Sequence, residues 1–270
     1  MIEFQNSIAA YSYSNARTTS SASNLKVLNG ILEKAENIKK NGEKHLFIFD
    51  IDSTLLDTSY RTGGIFKEFA RHPVHKEAYP KLCKAINRWT QMVEVYDPIE
   101  FVNHHSGISV DASSDTGKYL MSFWRKRFFN PDWLSHDLPY AGSSGFVYKI
   151  LERGGDIAYL TGREEKSLLD ATIRSLATHR FPYNPSSNRT RLMLKSDSSI
   201  KDLLYKDEGL SALKKGYEKV YYFENEVELV LMANREHQEI ETYLFDSVHS
   251  KRAELGNIDI PKITSWSLKL

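Results

Sequence analysis

Five apolar runs recur along the chain, each ending in polar or charged residues. His45, Leu46, Phe47, Ile48 and Phe49 form the first, which stops at Asp50; the others are 156–160, 191–194, 220–223 and a weaker one at 240–245. Continuous runs of this kind match strands buried on both faces, as in a parallel sheet. Between them, apolar residues fall at helical spacing: Leu168, Leu169, Thr172, Ile173 and Leu176, then Leu210 and Leu213, then Leu229, Val230 and Ala233. Upstream, Leu25, Leu28, Ile31 and Leu32 predict a helix closed by Gly42, and residues 1–24, rich in Ser, Asn and Thr, predict a loose lead-in. Strand alternating with helix predicts an α/β fold, a Rossmann-like three-layer core with a parallel sheet.

One interval breaks the rhythm. Asp50 and Thr161, at the ends of the first two runs, lie 111 positions apart, whereas a strand–helix–strand unit takes roughly 30 residues. The surplus falls near 59–139, where Leu82, Ile86, Trp89 and Val93 form one helical stripe and Leu120, Phe123, Trp124 and Phe128 another. A segment of that size has to bury its own apolar faces. The expected organisation is a core of 25–58 and 140–250, an α-helical insertion at 59–139 and a C-terminal tail at 251–270.

Composition narrows the classes. The 270 residues carry 36 Lys and Arg against 35 Asp and Glu, a net charge of +1, which disfavours a nucleic-acid partner. The hydrophobic content of 41% supports a sizeable core and excludes a disordered chain. The lone Cys83 forms no internal disulfide, no apolar run nears the ~18 residues of a membrane span, and no leader pattern opens the chain. A cytoplasmic protein with no membrane partner is expected; the oligomeric state is not readable from these patterns.

The chemistry concentrates where the first run ends, in Asp50, Ile51, Asp52, Ser53 and Thr54. Ligands of open α/β sheets bind beyond the carboxyl ends of the strands. Two carboxylates two positions apart can share one side of an extended segment, and crowded like charges push their pKa values apart, leaving one as nucleophile and the other as proton carrier. An isolated Asp-x-Asp more often caps a helix or starts a turn; the buried run upstream and the hydroxyl residues after it favour the site.

The run Phe49-Asp50-Ile51-Asp52-Ser53-Thr54 resembles the first motif, Asp-x-Asp-x-Thr, of the haloacid dehalogenase-like superfamily of aspartate-nucleophile phosphohydrolases, and 157–163, ending in Thr161, Gly162 and Arg163, resembles the second. The insertion matches the position of that family's cap. The resemblance implies that Asp50 attacks phosphorus, that Asp52 protonates the leaving oxygen and activates water, and that Thr54, Thr161, Gly162 and a lysine hold the phosphoryl group. It further implies Mg²⁺, bound by the Asp50 carboxylate, the backbone carbonyl of Asp52 and acids at the fourth strand end, where Glu224 and Glu228 stand in place of the family's usual aspartates. For the lysine, Lys206 is favoured over Lys201 and Lys195. The implied activity is a magnesium-dependent phosphatase acting through an aspartyl-phosphate on a small phosphorylated metabolite. The alternatives are a nucleotide or polynucleotide end phosphatase, a phosphomutase and a non-catalytic phosphate-binding protein. Asp52 argues against a dehalogenase, and the lack of membrane spans against a P-type ATPase.

Weaker signals are set against ordinary ones. His72 and His75, with His104 and His105, make a zinc site conceivable, but no third partner is evident. The stretch Trp124, Arg125, Lys126 and Arg127 could meet a nucleic-acid strand, though its aromatics fit inward packing better. Asp111 and Asp115 lack calcium-loop spacing and suit helix capping. Arg163 either touches substrate or pairs with an acid.

Overall fold

A computed structural model describes residues 19–269. Expectations for 1–18 of the lead-in lie outside the described residues. The central sheet has six parallel strands in the order β5-β4-β1-β6-β7-β8: β1 (His45–Phe49), β4 (Asp156–Glu164), β5 (Thr190–Lys195), β6 (Lys219–Glu224), β7 (Ile240–Phe245) and β8 (Lys262–Ile263). All five residues of β1 are buried because it lies between β4 and β6 with helices on both faces. Its side chains alternate between those faces. Phe47 and Phe49 join α1 (Ala22–Asn41) and α7 (Ser143–Glu152) through Leu28, Ile31, Phe146 and Ile150, while Leu46 and Ile48 join α9 (Asp202–Leu213) and α10 (Val227–Glu236) through Leu210, Leu213, Leu229 and Met232. This is the three-layer α/β arrangement. The remaining crossover helix, α8 (Glu165–Thr178), buries Leu168 and Leu176.

The chain leaves the core through β2 (Leu56–Asp57) and returns through β3 (Leu138–Pro139), which pair antiparallel, Leu56 with Pro139 and Asp57 with Leu138. Between them lie α2 (Ser59–Arg71), α3 (Pro73–Ala78), α4 (Pro80–Ile86), α5 (Pro98–Ser106), α6 (Asp115–Phe128) and a 3-10 helix over Pro131–His136. Phe66, Phe69, Leu82, Ile86, Trp89, Phe101 and Leu120 form this segment's own apolar cluster.

The stripe through Val93 does not form as one helix. The α4 helix ends at Ile86, and Trp89 enters the cluster from a tight turn (Trp89 N–H to Ile86 O, 3.1 Å) to pack edge-on against Phe66 and Phe101. Val93 is left 51% exposed. The two chain ends differ from expectation as well. Within the lead-in, Ser20 Oγ donates to Ser267 O at 2.5 Å and Asn24 Nδ2 to Ser265 O at 2.8 Å. The segment read as a tail supplies β8 and the fully buried Trp266, which stacks against Phe245 and meets Phe49, Phe223 and Phe146. A chain end buries such a residue only when a pocket between distant elements receives it, here between the sheet and α7.

Candidate active site

Asp50 follows β1 directly, and its N–H donates to Phe223 O of β6 at 2.9 Å, which fixes the carboxyl end of the central strand. Its side chain is buried, and Oδ1 accepts from Lys206 Nζ at 2.6 Å. Lys206 projects from α9 and is 2% exposed; it also donates to Leu160 O of β4 at 2.6 Å and to Glu224 Oε2 of β6 at 2.9 Å. Its three hydrogens thus join three adjacent strands, and Asp50 with Glu224 holds the ammonium protonated against the opposing effect of burial. Lys195 instead pairs with Asp202 at 2.7 Å, and Lys201 is an exposed residue preceding α9.

Glu224 has no idle oxygen. Oε2 also accepts from Tyr222 Oη at 2.6 Å, and Oε1 accepts from the N–H groups of Asn225 and Glu226 at 2.9 and 3.1 Å. Glu228 lies half-buried in the first turn of α10, and among the described residues no hydrogen bond or ion pair joins it to Asp50, Lys206 or Glu224. Thr54 is fully buried and donates to Asn225 Oδ1 at 3.0 Å, while Asn225 Nδ2 donates to Val248 O at 2.6 Å. Thr54 therefore ties the Asp50 loop to the β6 loop. Thr161 and Gly162 sit within β4 rather than at its end, at an irregularity where the β4–β5 register shifts between Leu160 and Glu164. Thr161 Oγ1 accepts from Arg163 N–H at 3.3 Å, and a Cβ on Gly162 would come within 2.9 Å of Asp202 Oδ1.

Asp52 is 28% exposed, and both its oxygens are held by arginines. Oδ1 accepts from Arg61 Nη2 at 2.6 Å and Arg163 Nη2 at 2.8 Å; Oδ2 accepts from Arg163 Nε at 2.8 Å. Burial would raise this carboxyl, but Arg163 and then Arg61 outweigh it and hold Asp52 well below the usual carboxylate range. Arg61 and its second acidic partner, Asp137, were not legible as site residues. An arginine among Ser59, Tyr60, Thr62 and Gly63 reads as solvated surface, and only the fold carries it into the interior.

The donor set can be tested against a metal. Asp50 and Glu224 are two buried carboxylates sharing one lysine. Burial first and Glu224 second push Asp50 up to about 7, so the cluster is short of positive charge. A hard divalent cation supplies that charge, and Asp50 with the Asp52 carbonyl is the kind of oxygen set magnesium accepts, completed by water and phosphate oxygens. The residues fit such an ion, with the four hydrogen bonds on Glu224 making it a source of charge ahead of a direct ligand. Among the described residues no group of three or more His, Cys, Asp or Glu is set to hold a metal. His75 is occupied by Phe69 O and Tyr119 Oη, and His105 by Phe101 O and the Val93 N–H. Asp111 accepts from Ser113, and Asp115 opens α6 after its N-cap Ser114. Trp124 stacks on Phe128 and donates to Thr62 Oγ1, while Arg127 pairs with Glu68.

The fold and the position of this site define the class: the chain is a three-layer α/β protein with a parallel sheet, and its candidate site lies beyond the carboxyl end of the central strand. It is similar to the protein tyrosine kinase A of Mycobacterium tuberculosis, at 15% identity over 83% of this chain and 94% of that one, with a TM-score of 0.50. It also resembles a haloacid dehalogenase-like family protein of Streptococcus pneumoniae (14% identity, 81% and 93% covered, TM-score 0.48). A third similar structure is CbbY of Rhodobacter sphaeroides in complex with phosphate (13% identity, 82% and 94%, 0.46). At these identities the likeness concerns the fold alone. No protein-family model matches the sequence, and no curated protein matches it.

Proposed function

We propose that the chain is a phosphatase that hydrolyses phosphate monoesters through an aspartyl-phosphate on Asp50. The observation that carries this reading is Asp50 itself: a buried carboxylate at the carboxyl end of the central strand, oriented by Lys206 at 2.6 Å. In the first step a carboxylate oxygen of Asp50 forms a bond to phosphorus while the ester oxygen leaves; in the second, water attacks phosphorus and the Asp50–phosphorus bond breaks. Splitting one displacement into two lowers each barrier. Lys206 neutralises charge on the transferring group, and Thr161 and Gly162 line the phosphoryl side. Asp52, held ionised by its two arginines, is set to take a proton from the attacking water. Magnesium, when bound at Asp50 and the Asp52 carbonyl, supplies the positive charge that lets a phosphoryl dianion approach an ionised aspartate. The helical insertion hinged on β2 and β3 acts as a cap beside the site, which favours a small phosphorylated substrate over a folded protein.

The test is turnover of a generic aryl phosphate with Mg²⁺, alongside EDTA and Asp50→Asn controls. Asp50→Asn is expected to abolish both turnover and acid-stable labelling of the protein by phosphate. Undiminished activity in Asp50→Asn removes the nucleophile assignment, and failure across a broad ester panel leaves the non-catalytic phosphate-binding reading.

A further inference from the structure

Four charged side chains form a closed ring of alternating sign around Asp52. Arg61 bridges Asp52 to Asp137, donating through Nη2 to Asp52 at 2.6 Å and through Nε to Asp137 Oδ1 at 2.7 Å, with Nη2 also on Asp137 Oδ2. Arg163 closes the ring, with Nε and Nη2 on Asp52 and Nη2 on Asp137 Oδ2 at 3.1 Å. Arg61, Arg163 and Asp137 are all buried. Two of the members, Asp52 and Arg163, belong to the core strands' ends. The other two belong to the insertion: Arg61 to α2, and Asp137 to the residue before β3. Both bonds Asp52–Arg61 and Arg163–Asp137 therefore cross from core to insertion beside the β2–β3 ribbon through which the chain enters and leaves the insertion.

Two features say what the ring does. Its formal charges cancel, so it is not an anion trap; a substrate phosphate gains no uncompensated cation from it. Its arginines are themselves anchored, Arg61 by Phe128 O at 3.1 Å with its guanidinium 4.2 Å from the Phe128 ring centroid, and Arg163 by Thr172 Oγ1 at 3.2 Å. The donors cannot follow Asp52 if it moves; Asp52 follows them.

We propose that Arg61, Arg163 and Asp137 are positioning residues that place the Asp52 carboxylate and make that placement depend on the seating of the insertion. The catalytic half of this rests on the phosphatase reading; the coupling of Asp52 to the hinge does not. With the insertion seated, Asp137 orients both arginines and they fix the Asp52 carboxylate. With it lifted, Asp52 loses Arg61, and Arg163 loses Asp137.

Removing one member leaves a buried charge unpaired and is strongly destabilising, so the test uses the milder Asp137→Asn and Arg61→Lys in the full chain, each checked for a cooperative thermal transition. The first arm is a cycle with Asp52→Asn, read as kcat and KM on an aryl phosphate. Asp137→Asn alone is expected to lower kcat by about tenfold or more with KM changed less than about twofold, and to cost nothing further once Asp52 is already Asn. Independent, multiplying losses in the double variant overturn the positioning role. The second arm needs no activity: hydrogen exchange of the Leu56, Asp57 and Leu138 amides is expected to speed up in Asp52→Asn as it does in Asp137→Asn. Unchanged exchange there in Asp52→Asn overturns the coupling. A wild type that turns over no ester defeats the phosphatase reading, and with it the catalytic half, while the second arm still decides the hinge.

Discussion

The indole Nε1 of Trp266 donates to the carbonyl oxygen of Thr54 at 2.8 Å, tying the last described residues to the loop that carries Asp50 and Asp52. Trp266 is fully buried beneath that loop, against Phe49, Phe223 and Phe245. Trp266→Phe keeps most of the apolar contact and loses the hydrogen bond, so a loss of about 1 kcal/mol in denaturant unfolding is expected, with the buried Thr54 carbonyl left short of a donor. Trp266→Ala opens a cavity and costs roughly 3–5 kcal/mol. Equal stability of Trp266→Phe and wild type would mean that the bond contributes nothing.

The pairing of Asp50 with Lys206 and Glu224 predicts a linkage between protons and cations. Asp50, raised from the usual range to about 7, holds its proton more tightly in the folded chain than in the unfolded one. A cation at Asp50 has to displace that proton, so Mg²⁺ affinity should rise as pH rises through about 7 and level off above it. Calorimetry in two buffers of different ionisation heat should detect close to one proton released per ion at about pH 6 and little at about pH 8.5. Proton release that does not change between those values rules out Asp50 as the titrating ligand.

Asp52, clamped by Arg61 and Arg163, is ionised at neutral pH and carries no proton to give to a departing oxygen. Esters whose leaving group needs no proton are then favoured in the first step. Nitrophenyl phosphate should outpace an alkyl phosphate in kcat/KM by about 100-fold or more, with a steep dependence on leaving-group pKa across substituted phenyl phosphates. A flat dependence would place a protonated acid at that oxygen and contradict the clamp.

The strands and their order of chemistry were legible because β1 and β6 are buried on both faces and so read as unbroken apolar runs. The length anomaly falls where the helices between β2 and β3 lie, and the lysine favoured before the last acidic strand end is the one whose Nζ donates to Asp50. Local pattern failed where distant parts of the chain meet. Arg61 reaches Asp137 across 76 positions and Trp266 reaches Thr54 across 212, and nothing in their own neighbourhoods marks either as buried. The α5 helix was missed although Asp97 accepts from the Ile99 and Glu100 N–H groups, Pro98 follows it, and Gly107 closes the helix at φ 66°. Those cap signals were present in the sequence and could have located it.

A second acidic contact at the hinge predicts how stability changes with pH. Asp57, in β2, is buried and accepts from the Ser59 N–H at 2.8 Å; Glu94, from the insertion, lies near it and accepts from Tyr140 Oη. Burial first and Glu94 second push Asp57 up to about 7 from 3.8. A carboxyl raised on folding binds its proton more tightly in the native state, so its contribution to stability is fully present below about pH 4 and is lost as pH rises through about 7. Asp57→Asn keeps an oxygen for the Ser59 N–H and carries no charge at any pH. The variant should match wild type in melting temperature only below about pH 4 and exceed it by several degrees near pH 8, with the difference growing between about pH 4 and 7. A pH-independent difference, or a variant less stable at pH 8, would show that Asp57 is ionised in the folded chain without cost and that Glu94 is not repelled by it.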